Sequence, residues 1–375
     1  MRKLYLSLIL CGVCLVIGQG SLAAAPAAPA ADGAGSPAAN SKATAQPEPD
    51  VRELQRLADQ GDATAQLKLG LMYYNGRDVP KDDRKAVEWW QKAADQGVAD
   101  AQADLGFMYE NGYGVVKDDR NAAEWYQKAA DQGYAAAQKN LGVMYADGRG
   151  VPQDDRKAMA WLQKAADQGD AVAQYNLGVM FAEGRGVTRD DRKAVEWWQK
   201  AADQGVAAAQ KGLGVKYATG RGVPQDDRKA AEWMQKAVEQ GDVGAQALLG
   251  IMYETGRGVT QDDRKAVEWW QKAVEQGNVG AQALLGAMYA EGRGVAKDDR
   301  KAVELYQKAA DQGDAKGQAY LGLMYAEGRG VAKDERKAAE WYQKAADQGN
   351  ENAKTALDAL RNQNGTVPAP RNPGP

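Results

Sequence analysis

The sequence predicts an all-α fold, a solenoid of eight tandem helix-turn-helix repeats of 36 residues with a partial capping helix at each end. Glycines from Gly61 to Gly349 recur at a constant interval of 36 residues, and a fixed period of this length is typical of repeat solenoids. Each interval contains two stretches with apolar residues three and four positions apart, the pattern of an amphipathic helix. No alternating run of β-branched residues occurs, so we predict no sheet.

The chain begins with the pattern of a secretory signal peptide, which we place at residues 1–23. Arg2 and Lys3 precede an apolar run over residues 4–17, shorter than the roughly 20 residues needed to span a bilayer. Small residues follow it, and we expect cleavage after Ala23. The mature chain is therefore expected to be secreted or periplasmic, as a bacterial envelope protein without a transmembrane segment.

Both cysteines of the chain, Cys11 and Cys14, lie inside this predicted signal peptide. Lipid attachment at one of them is an alternative. A lipoprotein signal has a small residue before the cysteine, whereas Leu10 and Val13 stand there. We therefore favour simple secretion, which leaves a mature chain without thiol or disulfide.

Two segments rich in Ala, Pro and small residues flank the repeats. Residues 24–49 and residues 364–375 cannot bury enough apolar surface to fold, so we predict disorder there. Residues 50–61 match only the end of a second helix, and residues 350–363 match only a first helix. We predict that these two segments cap the ends of the solenoid.

The eight predicted units are residues 62–97, 98–133, 134–169, 170–205, 206–241, 242–277, 278–313 and 314–349. Positions within a unit are counted from the glycine before it, so that position 1 of the first unit is Asp62. In this unit Ala65, Leu69 and Met72 lie on one face of a first helix, which ends at Gly76. Asp82 can cap the second helix.

A glycine recurs inside every first helix, at position 9, beginning with Gly70. An interior glycine costs about 1 kcal/mol relative to alanine, so we expect a compensating close approach of the second helix. We expect the Trp at position 28 (Trp89) to fill the space between successive units. The residue at position 29 (Trp90) varies among Trp, Tyr, Leu and Met, and we expect it to be only partly buried. Core packing is favoured over a row of carbohydrate-stacking tryptophans.

The motif Ala-Gln-x-x-Leu-Gly-x-Met-Tyr-x-x-Gly-x-Gly-Val-x-x-Asp-x-x-Lys-Ala-x-x-Trp-x-x-Lys-Ala-Ala can be followed from Ala101 to Ala130, with Asn121 in the first Lys slot. This string resembles the Sel-1-like repeat, a relative of the tetratricopeptide repeat, and the resemblance covers residues 62–349. It implies a right-handed α-solenoid that serves as an adapter in protein complexes, often in secretion or at the envelope. The family also has a disulfide-rich bacterial branch, which a mature chain without cysteine does not resemble.

The composition excludes several classes of chemistry. The chain has no His, which rules out a Ser-His-Asp triad, a Cys-His pair and a His-ligated metal. Its 48 Lys and Arg against 51 Asp and Glu give a net charge of −3, so no basic field favours a nucleic acid. We therefore predict no catalytic residue, no cofactor and no metal.

Paired acids begin every second helix, and a Gly-Arg-Gly-Val turn follows the first helix from the third unit onward. The pairs are Asp82-Asp83, Asp118-Asp119, Asp154-Asp155, Asp190-Asp191, Asp226-Asp227, Asp262-Asp263, Asp298-Asp299 and Asp334-Glu335. Their repetition at helix starts favours N-capping and a helix-dipole effect over a calcium site or a catalytic carboxylate pair. The turn lacks the Lys-Ser/Thr element and the preceding strand of a phosphate loop, so we interpret it as a helix stop.

Position 7 of the first helix supplies the candidate partner-binding residues, because the units differ strongly there. These candidates are Lys68, Asp104, Asn140, Asn176, Leu248, Leu284 and Tyr320. A core position would not accept Lys, Asp and Leu in turn, so we expect the row to be exposed. First helices line the concave face in the resembled family, which would place the row in a groove. Neutral drift between duplicated units is the alternative.

The function predicted from these observations is a non-catalytic secreted or periplasmic scaffold that binds a protein or peptide ligand in the groove. Two alternatives stay open. One is an envelope enzyme directed at peptidoglycan that uses carboxylates alone, with the singular acids Asp104 and Glu110 as candidates. The other is a lipid-anchored envelope assembly factor.

Overall fold

The computed structural model describes residues 51–364, which form eighteen α-helices and no strand. The helices are α1 (Val51–Asp59), α2 (Ala63–Asn75), α3 (Asp83–Asp95), α4 (Ala99–Asn111), α5 (Asp119–Asp131), α6 (Ala135–Asp147), α7 (Asp155–Asp167), α8 (Ala171–Glu183), α9 (Asp191–Asp203), α10 (Ala207–Thr219), α11 (Asp227–Glu239), α12 (Val243–Thr255), α13 (Asp263–Glu275), α14 (Val279–Glu291), α15 (Asp299–Asp311), α16 (Ala315–Glu327), α17 (Glu335–Asp347) and α18 (Glu351–Asn364). This confirms the predicted all-α solenoid of paired helices. The predicted signal peptide with its two cysteines, the segment 24–49 and the tail from residue 365 lie outside the described residues.

The chain divides into two compact units, Met1–Ala209 and Gln210–Pro375. Inside each unit, helices adjacent in the sequence pack on each other. One core cluster, for example, combines Tyr126 of α5 with Leu141 and Met144 of α6. A cluster therefore joins the second helix of one repeat to the first helix of the next.

The helix boundaries follow from capping, as the sequence predicts. Asp82 has extended backbone, and its carboxylate accepts hydrogen bonds from the backbone N–H groups of Arg84 and Lys85, each at 3.1 Å. Its equivalents in the later repeats cap in the same way; they are Asp118, Asp154, Asp190, Asp226, Asp262, Asp298 and Asp334. Gly76 ends the first helix in the left-handed region, with φ of 68°.

The interior glycine of each first helix lies under the side chain at position 29 of the same repeat. A Cβ on Gly178 would overlap the indole of Trp198, and a Cβ on Gly70 would overlap that of Trp90. The Trp198 Nε1 also donates to the carbonyl of Tyr175 in the same first helix, at 3.1 Å. Position 29 is buried in every repeat, so the expectation that it is only partly buried is wrong. Its residues vary because several large apolar side chains can fill the space above a glycine.

The tryptophan at position 28 is more exposed than the residue at position 29, but it packs between successive repeats, as predicted. Four of these tryptophans each lie against a cluster that joins one repeat to the next, namely Trp125, Trp161, Trp269 and Trp341. Outside the first repeat, where Trp89 is buried against α1, these tryptophans are half-buried. A lysine three residues later places its Nζ 3.6–4.2 Å from the ring centroid, in the pairs Lys92–Trp89, Lys128–Trp125, Lys164–Trp161, Lys200–Trp197, Lys236–Trp233, Lys272–Trp269 and Lys344–Trp341. The ammonium group covers a face of the ring in a cation–π contact. A sugar would have to displace that lysine to stack there.

A buried glutamine at position 5 connects successive repeats by hydrogen bonds. Gln102 Nε2 donates to the carbonyl of Ala94, at the end of the preceding second helix, at 3.2 Å. Its Oε1 accepts from Nε2 of Gln132, at the end of its own repeat, at 2.8 Å. The amide thus adds a side-chain donor to a helix C-terminal carbonyl that also accepts the backbone N–H of Gly97, at 2.9 Å. The same pattern recurs at Gln66, Gln138, Gln174 and Gln318.

The terminal helices cover the two ends of the described array. Leu54 and Ala58 of α1 pack on the core of the first repeat. Ala353 and Leu357 of α18 pack on the cluster that contains Tyr342 of the last repeat. A solenoid needs such covers because each end would otherwise expose the apolar face that internal repeats bury on a neighbour.

The close contact at the interior glycine can be tested by Gly178→Ala. Alanine is the better helix former, but here its methyl group would displace the Trp198 indole. We expect the free energy of unfolding to fall by about 1–3 kcal/mol, the usual cost of overpacking. The measurement is urea unfolding followed by circular dichroism.

The matched control for this substitution is Gly280→Ala, also inside a first helix. Gly280 is exposed, and a Cβ there would meet only Asn278 Oδ1, at 3.6 Å. The control should be neutral or stabilising by up to about 1 kcal/mol. Equal effects of the two alanines on stability would refute the packing account.

Candidate functional site

The predicted partner-binding row at position 7 is largely buried in the N-terminal unit. Lys68 is exposed, but the accessible fractions of Asp104, Asn140 and Asn176 are 4%, 8% and 0%. The expectation of an exposed row is wrong for these three residues. The Asn140 side chain hydrogen-bonds the hydroxyl of Tyr126, which occupies position 29 of the preceding repeat. A polar residue is accepted at position 7 here because its packing partner carries a polar atom.

In the C-terminal unit, the position-7 residues are half-buried. Leu248 and Leu284 pack against core clusters that include the position-29 residues of the preceding repeats. Tyr320 stacks on Tyr306, the position-29 residue before it, with ring centroids 5.1 Å apart and an interplanar angle of 25°. Position 7 therefore belongs to the joint between repeats. Binding of a partner by this row stays a prediction.

Glu110, a singular acid of the enzyme alternative, is engaged by its neighbours. Its Oε2 accepts a hydrogen bond from the Tyr126 hydroxyl at 2.9 Å, and its Oε1 accepts one from Arg149 Nη1 at 2.7 Å. Burial, followed by the charge of Glu110, raises the pKa of Tyr126 well above its ordinary value. Both carboxylate oxygens are thus occupied, and this geometry gives Glu110 a structural role.

An arginine at position 16 reaches back to the preceding repeat. Arg185 Nη2 donates to Asp155 Oδ1 at 2.8 Å and to the carbonyl of Ala146 at 2.8 Å. We call this arrangement the arginine clasp; it joins position 16 of one repeat to positions 13 and 22 of the repeat before it. In the C-terminal unit the same clasp is formed by Arg257 with Asp227 and Ala218, and by Arg329 with Asp299 and Ala290.

Two repeats have a glutamate at position 13, and there the arginine binds its carboxylate. Arg149 Nη1 lies 2.7 Å from Glu110 Oε1. Arg293 binds both Glu254, at 2.8 Å, and Asp263, at 2.9 Å. In four of the pairs the second acid therefore serves the clasp, namely Asp155, Asp227, Asp263 and Asp299, whereas sequence reasoning assigned these residues to the helix dipole alone. The recurrence of Arg at position 16 is the sequence signal that could have revealed it.

The second glycine of the Gly-Arg-Gly-Val turn allows the clasp to close. A Cβ on Gly150 would overlap the backbone carbonyl of Asp119 in the preceding repeat. The first repeat has Asp78 at this position, with φ of 59°. Helix α1 begins later in the repeat pattern than a second helix does, so no second-helix start lies opposite Asp78 among the described residues. A side chain is accepted here for that reason.

The joint between the first and second repeats differs from the others, because Tyr113 stands at position 16. Its ring lies 5.7 Å from that of Phe107, and Phe107 lies 6.2 Å from Tyr74 in an edge-to-face arrangement. Asp83, at position 22, has a buried Oδ1 without a hydrogen-bond partner. We call Tyr74, Phe107, Tyr113 and Asp83 the aromatic joint.

Electrostatics and exposure also set the aromatic joint apart. Burial raises the pKa of the Tyr74 hydroxyl, and the nearby charges of Tyr113, Asp83 and Asp104 raise it further. Tyr113 is 42% exposed and Val116, in the same loop, is 87% exposed; these are the exposed large hydrophobic side chains of the described region. The joint is thus an acidic, aromatic surface.

Two further kinds of site, metal ligands and membrane spans, concern residues 51–364. No group of three or more Asp, Glu, Cys or His side chains there is arranged to hold a metal ion. None of the helices in this range has both the length and the apolar character that crossing a membrane requires.

A family model described as the Sel1 repeat matches eight consecutive segments of the chain. They are residues 63–98, 99–134, 135–170, 171–206, 207–242, 243–278, 279–314 and 315–350, each starting one residue later than the predicted unit. No protein with a curated description matches the chain.

Two solved structures resemble the chain over most of its length. One is a protective antigen present in uropathogenic Escherichia coli strains, described as displaying an SLR fold; it is 41% identical, with a TM-score of 0.76, over 85% of this chain and 68% of that one. The other is a Sel1 repeat protein from Oxalobacter formigenes, 39% identical with a TM-score of 0.62, over 82% of this chain and 89% of that one.

The arginine clasp should contribute to stability in a pH-dependent way. The hydrogen bond from Arg257 holds the pKa of Asp227 below its usual value. Because the pKa of Asp227 is lower in the folded than in the unfolded chain, the ion pair stabilises the fold fully above the unfolded-state pKa, about 3.9. This stabilisation is lost as pH falls through the folded-state pKa. We expect a double-mutant cycle of Arg257→Met and Asp227→Asn to give a coupling of about 1 kcal/mol at neutral pH.

The same cycle measured in urea at successively lower pH should show a progressively smaller coupling, because Asp227 becomes protonated as pH falls through its lowered folded-state pKa. Coupling that is absent at neutral pH, or that persists unchanged in acid, would contradict the clasp as an ion pair.

Proposed function

Since the chain belongs to the Sel1 repeat family, we propose that it is a non-catalytic scaffold that binds a protein partner outside the cytoplasm. Solenoids of this family typically mediate protein–protein interaction. The internal contacts described above support this role. Within each unit, the recurring caps, interior glycines and clasps connect neighbouring helices, and a preorganised scaffold presents surface side chains to a partner without a large loss of conformational entropy.

The observation that carries the proposal is the exposed apolar surface in the loop of the second repeat. Tyr113 and Val116 are three residues apart in the sequence, and both side chains are exposed. The equivalent positions of the next repeat are Arg149, which is clasped, and Pro152. Tyrosine is enriched at the energetic centres of interfaces because its large ring is buried on binding at little entropic cost. We propose this loop as the primary contact.

The position-7 row is a second candidate contact surface. Lys68 is the fully accessible member, and Leu248, Leu284 and Tyr320 each present a partly exposed edge within the C-terminal unit. Their packing in the joints favours a supporting role over that of main anchors. The buried position-7 residues of the N-terminal unit pack beneath the surface, so we do not propose them as direct contacts to a partner.

A location in the periplasm or outside the cell is supported by two observations. The first 23 residues have the pattern of a cleavable signal peptide. The relative from Escherichia coli is described as a protective antigen, which is compatible with exposure at or beyond the envelope. A lipid-anchored form is the competing possibility.

The proposed contact can be tested with a photo-crosslinking amino acid at Val116, using extracts of the source organism. We expect one discrete covalent adduct with a partner protein. The same amino acid at Pro152, the equivalent exposed position of the next repeat, is the matched control and should not give that adduct. Added parent protein without the photo-crosslinking amino acid should lower the yield of this adduct, because it competes for the partner. The double variant Tyr113→Ala/Val116→Ala should not lower the yield. Identical adducts at both positions would sink the proposal.

Processing gives a separate prediction, read by mass spectrometry of the mature protein. The chain should begin at Ala24 and should not react with thiol-specific labels, since its two cysteines precede that residue. A mature N-terminus at a lipid-modified Cys11 or Cys14 would favour the lipid-anchored assembly factor instead.

A further inference from the structure

The first joint of the array has the framework of an arginine clasp but not the arginine. Tyr74 stands at position 13, Tyr113 at position 16 and Asp83 at position 22. At five of the later joints, a guanidinium lies within 2.6–2.9 Å of an acidic side chain of the repeat before it. The aromatic joint therefore keeps the acceptor of the clasp and lacks the donor.

We propose that the aromatic joint binds the guanidinium of an arginine side chain from a protein partner, which completes from outside the ion pair that other joints make internally. This inference rests on the proposed protein-binding function and specifies the chemistry of the partner. It assigns the loop with Tyr113 and Val116 a defined ligand group.

The carboxylate of Asp83 is the first argument. Its Oδ1 is buried and accepts no hydrogen bond, which is costly for a charged group. The equivalent Oδ1 of Asp119 also has no hydrogen-bond partner, but at that joint the arginine is present and pairs with Glu110. Lys81 Nζ forms an ion pair with Asp83 Oδ1 at 3.7 Å, beyond hydrogen-bond distance, and lies 5.3 Å from the centroid of the Tyr74 ring, on a side chain that is 61% exposed. An incoming guanidinium would therefore displace an exposed lysine. The exposed fraction of the Asp83 side chain is 27%, within the 25–30% of the clasped aspartates. Asp83 thus sits in an environment that accommodates a guanidinium elsewhere in the same chain.

The aromatic rings are the second argument, and they favour arginine over lysine. Tyr113 is the outermost of a series of rings that continues through Phe107 and Tyr74 to Trp90, with centroids 5.7–6.2 Å apart. A planar guanidinium stacks on an aromatic face and at the same time pairs with a carboxylate in its plane. Asp104 is buried nearby, and its negative charge adds to the attraction for a cation. Val116 offers apolar surface to the methylenes of the arginine.

The probe is the blocked tetrapeptide Gly-Arg-Gly-Val, which copies residues 148–151 of the chain's own clasp turn. The control peptide has citrulline in place of arginine and so keeps the shape but not the charge. Binding to the full mature chain is measured by saturation-transfer NMR. We expect the arginine peptide to bind at least about tenfold more tightly than the citrulline peptide. Equal binding of the two peptides would overturn the proposal.

Two variants locate the binding at the aromatic joint. Asp83→Asn should reduce binding of the arginine peptide to the level of the citrulline peptide. Asp155→Asn, the matched change in a joint that already has its arginine, should leave peptide binding unchanged. Binding that survives Asp83→Asn, or that is lost equally with Asp155→Asn, would show that the peptide does not use this joint. Circular dichroism checks that both variants fold.

Tyr113→Arg supplies the missing donor within the chain. It should form the clasp, raise the Tm by about 2 °C and abolish binding of the arginine peptide. Unchanged peptide binding would again overturn the proposal. If no peptide binds but Val116 still crosslinks to a partner, the arginine inference fails and the proposed function stands. If neither is observed, both fail.

Discussion

The close approach of two helices at the interior glycine is the constraint on which the remaining structure depends. With no Cβ at Gly178, the indole of Trp198 lies directly on the first helix and its Nε1 reaches a backbone carbonyl of that helix. This spacing buries the alanines of the second helix completely, for example Ala194 and Ala201. It also fixes the end of one repeat close enough to the start of the next for the glutamine bonds and the arginine clasps to span the joint. The local cost of a helical glycine is therefore offset in the packing of each pair.

Local signals predicted the helices well, whereas contacts between repeats escaped sequence reasoning. Asp82 caps the start of α3 and Gly76 ends α2, as expected, because a cap acts within a few residues of the chain. The relative burial predicted for positions 28 and 29 was reversed, because both lie near one apolar stripe and only the neighbouring helices decide which side chain is covered more completely. The clasp between Arg185 and Asp155 joins residues 30 apart in two different repeats, and no periodicity within a single repeat reveals it.

Variation between repeats carries more information about packing than we expected from the sequence. Position 7 was interpreted as a binding row because it accepts Asn in one repeat and Tyr in another. Asn140 meets the hydroxyl of a tyrosine, and Tyr320 meets the ring of another, so the residue complements its neighbour across the joint. The joint between the first and second repeats remains distinctive because it lacks the arginine, whereas the arginine is present beside Asp119 and Glu254, which also have a carboxylate oxygen without a hydrogen-bond partner. At the aromatic joint, Asp83 has kept an acceptor whose usual donor has been replaced by Tyr113.

The side chain of Asp78 has a consequence for how such an array can lengthen during evolution. When an additional repeat is inserted between two existing ones, the following repeat has glycine at the position equivalent to Asp78. The backbone of the inserted repeat can then pack directly against that glycine. A complete repeat placed ahead of the first would bring a second-helix start against the Cβ of Asp78. Tandem duplication can therefore extend the interior of the array, but growth at the N-terminal edge requires a prior change of Asp78 to glycine. The first repeat is thus the one whose turn has to change before a complete repeat can pack ahead of it.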